Sequence, residues 1–498
     1  RGPLIWLSLQ RRQLYRELIS TAVSEGFQLT ERALQRLEEY SNPFQALASA
    51  IERLKKNRPE AVVIDVEDLQ QPLEKPAEPP PPPLQEKPIH IPRLETFSVI
   101  DNDYRIEGDI AEFRSYFLSR YHLIKRILSK RRLEFTPVSE VPAIRDGGET
   151  LVAVMVLSKK EGAGNIRITC DDPSGHLEVV ASKRNQQLYK QALELLTDTV
   201  VAMRIKRVGG INILTEIIYP DVDEQQLRKT PQTEEAYLCL ISDIHVGSKH
   251  FRRDYFESFL DWLNRGRDGV VKRLTHLVIG GDLVEGVGIY PGQEKDLMYR
   301  NVEEQLREAG KLLAEIPQNI EVIFIPGNHE PVRKALPQPP LQDRYRRLLD
   351  EHRKMIHLSN PAELVFDGRR VTVYHGQGLD DIIQSLPNAS YSTLTENAAD
   401  VVTALLRYRH LAPIYGGGAQ LLPSKEDRLV IVEQPHLLQT GHIHVLVNTS
   451  YRGVKLVNAA AWQDQTDYQR SLGLEPDVGY AAVLNIASMN VEMMSFAS

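Results

Sequence analysis

Cysteine is almost missing. The 498 residues include two, Cys170 and Cys239, far apart and each in a stretch that reads as a strand. That excludes a disulfide framework, and both read as small buried hydrophobes of an intracellular chain. A surplus of positive charge is missing too: 60 basic residues face 67 acidic ones, a net charge of −7. This excludes a chain that coats nucleic acid through a broad basic surface, while leaving room for a local basic groove. No apolar run approaches the ~18–20 residues of a membrane span, and the opening Leu4-Ile5-Trp6-Leu7 is too short for a signal-peptide core. No membrane is expected as a partner. The first residue is Arg1, so a native start upstream of it is expected.

What the chain has is the balance of a folded protein, 42% hydrophobic and 26% charged residues. Its length suits roughly three domains of ~150 residues. Nine of its 30 prolines crowd between Gln71 and Arg93. Proline fixes φ and lacks an N–H, so residues 60–97 are expected as a linker that favours extended polyproline. Before it, 1–59 reads as a helical interaction domain. Thr30 is placed to cap a helix, with Leu29 and Leu34 as a hydrophobic staple. Asn42-Pro43 opens another, in which Phe44, Leu47, Ala48, Ile51 and Leu54 recur at helical spacing until about Arg58. After the linker, within 98–230, strands are expected over 151–157, 166–170 and 177–179, then a helix capped by Asn185, then strands over 200–205 and 211–218. Three strands, a helix and two strands is the element order of an OB-fold barrel. Such barrels bind single strands by stacking bases on aromatic side chains. Residues 151–218 offer one aromatic, Tyr189, on the helix, which favours a protein-facing barrel.

From Glu235 onward, short apolar strands end in polar clusters, the pattern of a layered α/β domain with chemistry at its strand ends. The clusters are Asp243-Ile244-His245, Gly280-Gly281-Asp282, Gly327-Asn328-His329-Glu330, His375-Gly376 and Gly441-His442-Ile443-His444, and they take five of the chain's 14 histidines. Imidazole, carboxylate and amide oxygen suit manganese, iron, zinc or nickel rather than a thiolate-bound ion. The two-residue period of a strand is expected to put Asp243 and His245 on one side, and likewise His442 and His444. The neighbouring glycines permit tight turns and close backbone approach. One carboxylate can bridge two cations, and such a pair can polarise a phosphoryl group and steady its leaving oxygen. The remaining histidines, His276, His357, His410 and His436 among them, read as structural.

These five motifs resemble those of the calcineurin-like metallophosphoesterases, over about residues 236–498. The longer strings narrow the resemblance. Leu240-Ile241-Ser242-Asp243-Ile244-His245-Val246-Gly247-Ser248, Gly280-Gly281-Asp282-Leu283-Val284-Glu285-Gly286, Pro326-Gly327-Asn328-His329-Glu330-Pro331-Val332-Arg333 and Tyr374-His375-Gly376 followed by Leu379-Asp380-Asp381 are similar to the small subunits of archaeal family-D DNA polymerases. The resemblance implies an α/β sandwich metallophosphoesterase domain over 231–498, preceded by an OB-fold β-barrel over 98–230 and the small N-terminal helical domain. It implies a 3′-to-5′ proofreading exonuclease with two divalent metal ions, manganese first among them. Asp243, His245 and His444 would hold one ion, Asn328, His375 and His442 the other, and Asp282 would bridge them. His329 would be the catalytic acid at the leaving 3′ oxygen. Implied partners are a large catalytic polymerase subunit, the 3′ end of primer-template DNA and a sliding clamp, and the implied location is the cytoplasm, at the nucleoid. Eukaryotic relatives lack the ligands and act as scaffolds, so a non-catalytic scaffold subunit stands as the alternative, next to a phosphodiesterase acting on small nucleotides. Protein serine/threonine phosphatases carry an Arg shortly after the second-motif Asp; here Gly281-Asp282-Leu283-Val284-Glu285-Gly286 has none, which counts against a phosphoprotein substrate. Arg333 and Lys334 are candidate nucleic-acid contacts, with Arg344, Arg346 and Arg347 following.

Overall fold

The computed structural model describes residues 2–69, 89–162, 164–227, 232–266 and 269–497, with side chains from Gln13 onward. The chain divides into two compact bodies between Pro88 and Ile89.

The N-terminal body has helices Gly2–Ser24, Glu31–Glu38 and Pro43–Asn57. Thr30 and Asn42 cap the second and third as expected, accepting from the N–H groups of Ala33 and Gln45. Leu47, Ala50, Ile51 and Leu54 turn inward against Leu18, Phe27 and Leu37. Phe44, expected as a member of that stripe, is exposed. Strand Val63–Ile64 pairs in parallel with Gln28–Leu29, and Ile64 and Leu69 are buried in this core. The first ten residues of the expected linker thus belong to the helical body, because Ile64 supplies apolar surface the helices need. Residues 70–88, with most of the prolines, lie outside the described residues.

The first helix of the second body is Ile110–Ser129, an element not anticipated from the sequence. Asp109 caps it, and Tyr116, Tyr121, Ile124 and Leu128 face inward. The barrel follows. Strands Glu149–Gly162, Asn165–Asp172, Gly175–Ser182, Val200–Val208 and Ile211–Ile218 close in that order except that the last two exchange places, with helix Gln186–Glu194 between the third and fourth. Asn185 caps that helix by accepting from Leu188 N–H.

The rest is built on two six-stranded sheets. The first runs in the order Ile356–His357, Glu321–Phe324, Leu274–Ile279, Tyr237–Ile241, Tyr480–Asn485 and Val491–Ser495. The second runs Leu446–Tyr451, Val454–Ala459, Leu437–Thr440, Arg369–Val373, Ala362–Phe366 and Leu94–Ser98. Leu94–Ser98 falls inside the stretch expected as linker, yet it pairs antiparallel with Ala362–Phe366 as an edge strand. Alternation explains the layers. Leu238 and Leu240 point into a core shared with Leu364, Val371, Leu437 and Val457 of the second sheet. Cys239 and Ile241 point the other way, under helices Arg253–Arg265 and Val302–Ala314. The far face of the second sheet packs helices Leu379–Ser385 and Leu394–Tyr408, whose core runs on into the barrel. Both cysteines are free and buried. Among the described residues no helix is long and apolar enough to cross a membrane.

One buried ion pair joins these parts. Arg120, on the first helix of this body, is 1% exposed and donates from Nε to Asp427 Oδ2 at 2.7 Å. Its other nitrogens donate to the carbonyls of Asp198 and Pro413 and to Tyr116 Oη. His410 meets the same Asp427 oxygen at 2.9 Å.

Candidate metal centre

Five strands point their C-terminal ends at one place. Tyr237–Ile241, Leu274–Ile279 and Glu321–Phe324 are mutually parallel neighbours in the first sheet, and Arg369–Val373 and Leu437–Thr440 are parallel neighbours in the second. Just past those ends stand Asp243, Asp282, Asn328, His375 and His442. The expected two-residue period does not place the pairs, because the strands stop short of them. Asp243, His245, Asp282, His442 and His444 all have left-handed backbones, with φ of 54°, 57°, 52°, 70° and 54°. Non-glycine residues adopt that region at a cost; here it turns each side chain back across the strand ends. The glycines leave room for this. A Cβ on Gly281 would lie 2.5 Å from His375 Nδ1, and one on Gly327 would run into Asp282 Oδ1.

The side chains form two overlapping groups. In the first, Asp243, His245 and His444 bring their donor atoms within 4.8 Å of one another. His245 Nε2 faces His444 Nε2 at 3.1 Å, and His444 Nε2 lies 3.3 Å from Asp243 Oδ1. In the second, Asp282, His375 and His442 do the same. Asn328 Oδ1 completes it, 3.0 Å from His375 Nε2 and 2.9 Å from His442 Nδ1. Asp282 Oδ2 lies 3.2 Å from His375 Nε2 and 3.7 Å from His329 Nε2. His329 also comes within 4.8 Å of Asp282 and His245, so by distance alone it qualifies as a donor. Its Nδ1 donates to the Glu285 carbonyl at 2.6 Å, which fixes the ring with Nε2 toward the cluster.

Residues not anticipated as site residues hold these in place. His245 Nδ1 meets Glu285 Oε2 at 3.0 Å. Gln469 Nε2 donates to His444 Nδ1 at 2.8 Å, and Asp380 Oδ2 meets His442 Nε2 at 2.8 Å. Carboxylates and carbonyls behind metal-binding imidazoles fix the tautomer and ring orientation. Glu330 is fully buried and accepts from four backbone N–H groups, those of Asp282, Leu283, Val284 and Gly327. It thereby ties the second motif to the third. Only chemical type in the quoted strings could have flagged Glu285, Glu330 and Asp380; nothing in the sequence flags Gln469. Arg333 and Lys334 spend their donors internally, Arg333 on the carbonyls of Ala335 and Pro337, Lys334 on those of Asn328 and Glu330. His276, His357, His410 and His436 stand outside both groups.

The electrostatics fit a pair of cations. Burial opposes charge on Asp282, yet His329 and His375 hold its carboxyl well below the usual range. Burial also opposes charge on His375, and Asp282 carries it up to about 10. His245, against the same burial, is raised to about 9 by Glu285, which is itself held at about 2. The protein alone therefore balances its buried carboxylates with protonated imidazoles. Divalent cations with nitrogen and oxygen ligands are the other way to balance them, and the donors already converge without intervening side chains.

Residues 238–444 match the family of the B subunits of DNA polymerases alpha and epsilon. The chain is 34% identical over 491 residues to the DNA polymerase II small subunit of Methanothermobacter thermautotrophicus, covering 95% of this chain and 99% of that protein. It is 35% identical over 395 residues to the protein of that name from Archaeoglobus fulgidus, covering 78% of each. With the Pyrococcus horikoshii protein the identity is 35% over 396 residues, 77% of this chain and 63% of that protein.

Proposed function

This chain belongs to the DNA polymerase II small subunits of archaea, and on that premise we propose that it is the 3′-to-5′ proofreading exonuclease of the polymerase. The observation that supports the reading is the doubled donor cluster meeting at Asp282. Asp243, His245 and His444 would hold one divalent cation and Asn328, His375 and His442 the other, with Asp282 shared. When bound, the cations supply Lewis acidity toward a phosphodiester. The chain's own residues do the rest. Glu285 and Asp380 orient two of the imidazoles, His245 and His442, through the nitrogens that do not face the cluster or its neighbour. His329 holds one proton on Nδ1 against the Glu285 carbonyl and presents Nε2 to the leaving 3′ oxygen. Burial pushes its imidazole below the ordinary value, while the Asp282 and Glu285 carboxylates favour the imidazolium, the form that would carry a second proton on Nε2 for the leaving oxygen. Water adds at phosphorus, the bond to the 3′ oxygen breaks, that oxygen takes the Nε2 proton, the proton shed by the water restores the ring, and a nucleoside 5′-monophosphate leaves. We read the barrel as an OB-fold whose surface serves the large catalytic subunit, and the 3′ end of a primer as the substrate.

The test is manganese-dependent removal of a mismatched 3′ nucleotide by the full chain, alone and with its large subunit. Asp282→Asn should abolish the degradation ladder while leaving the circular dichroism unchanged, and chelator should do the same to the parent protein. A normal ladder from Asp282→Asn would sink the assignment.

A further inference from the structure

We propose that Tyr468 is the floor of a nucleobase subsite, on which the unpaired terminal base of a strand stacks while its phosphate lies at the metal centre. The inference rests on the exonuclease reading and adds what that reading does not assign, a binding element for the base. Tyr468 is 44% exposed, so part of its ring is open to solvent. One face is spoken for: it stacks on Tyr290, ring centroids 5.2 Å apart and 19° from parallel. Tyr290 in turn lies 6.5 Å from the His329 ring and donates its hydroxyl to Glu285 at 3.0 Å, the carboxylate that holds His245. Tyr468 is thus one ring removed from the group that faces the leaving oxygen.

Its backbone is tied to the site as firmly. The short helix Asp467–Leu472 opens with a capping box, in which Thr466 accepts from Gln469 N–H and Gln469 accepts from Thr466 N–H. The same Gln469 side chain donates to His444. Tyr468, the neighbouring residue, therefore cannot shift without disturbing a candidate metal ligand. Tyr391 likewise donates its hydroxyl to Asp380 at 2.7 Å, the carboxylate behind His442. An exposed aromatic ring stacked on Tyr290, which itself neighbours His329, suits a nucleobase, which hangs from its phosphate by one sugar. Stacking tolerates every base, since each has a π face. It also discriminates by pairing: a mismatched terminal base is cheap to unstack and free to move onto the tyrosine, whereas a paired one is not.

The experiment uses the full chain with manganese and a primer whose 3′-terminal 2-aminopurine is joined by a phosphorothioate, so that cutting is slowed while the phosphate site keeps its cations. The parent protein should quench the fluorophore, Tyr468→Phe should quench it equally, and Tyr468→Ala should not. In parallel, the parent should bind a base-bearing 3′ end roughly tenfold more tightly than an abasic one, and Tyr468→Ala should lose that ratio. With an unmodified primer, the loss in Tyr468→Ala should fall mainly on KM. Equal quenching and an unchanged ratio in Tyr468→Ala would overturn the subsite even if the parent degrades primers normally. Quenching that depends on Tyr468 in a protein that degrades nothing would retain the subsite and remove the exonuclease reading instead.

Discussion

Replacing Arg120 with methionine should destabilise the Ile89–Ser498 body by about 3–5 kcal/mol, the usual result of removing one member of a buried ion pair. The structure says where the loss arises. Asp427, 1% exposed, forfeits the 2.7 Å bond from Arg120 Nε and keeps the Leu429 N–H and His410. The Asp198 and Pro413 carbonyls lose the N–H groups they accept, at about 1 kcal/mol or more each. His410 then makes the penalty depend on pH. In the parent protein burial, and next the Arg120 charge, push its imidazole below the ordinary value. Without Arg120 that repulsion vanishes and a needy carboxylate sits 2.9 Å away, so the folded-state pKa of His410 rises. A histidine whose folded pKa exceeds its unfolded value contributes stability that is full below the unfolded value, ~6.5, and lost as pH rises through the folded one. The Arg120→Met penalty should therefore be larger at pH 8 than at pH 6. Urea unfolding followed by fluorescence at the two pH values measures both quantities, and the double variant Arg120→Met/Asp427→Leu should recover much of the single-variant loss. A penalty under about 1 kcal/mol at pH 8, or a double variant as weak as the sum of the singles, would refute the reasoning.

Glu330→Gln keeps the shape but turns an amide NH2 toward two of the four backbone N–H groups; at ~1–3 kcal/mol for each unmatched donor, thermal unfolding should fall by several degrees and metal uptake should drop with it. Gly327→Ala places a methyl against Asp282 and His375, so metal content measured by atomic absorption should collapse while far-ultraviolet circular dichroism stays near that of the parent. Gln469→Ala frees the His444 ring and should weaken manganese binding roughly 10- to 100-fold by titration calorimetry, the range for ligand-orienting partners.

The candidate site was largely legible because its residue types are rare where they stand. An Asp, a Gly-Asp, a Gly-Asn-His and two histidine motifs, each following a short apolar run, survive without knowledge of the tertiary contacts. What links them was not legible. Glu330 acts on Asp282 from 48 positions away and Gln469 on His444 from 25, distances at which spacing carries no signal. The two-residue rule failed at Asp243 and His245 because the backbone leaves the strand before reaching them, and a left-handed turn replaces the pleat. Helix Ile110–Ser129 was missed although Tyr116, Arg120, Tyr121, Ile124 and Leu128 recur at its period; aromatic and charged members of the stripe hid it, since Arg120 buries its charge on a distant aspartate. Leu94–Ser98 was hidden for the opposite reason: an edge strand with one pairing partner needs little apolar patterning, and the prolines before it spoke louder.

The five left-handed residues at the strand ends have an evolutionary consequence. Each costs on the order of 1 kcal/mol or more relative to a relaxed backbone, and each is held by the surrounding fold rather than by its own preference. Glycine at Asp243, His245, Asp282, His442 or His444 would relax the backbone there, at the loss of bonds such as those Asp243 and Asp282 accept from the His442 and His329 N–H groups. If the site carries the chemistry proposed for it, keeping these five residues requires selection, since glycine would relax their backbones.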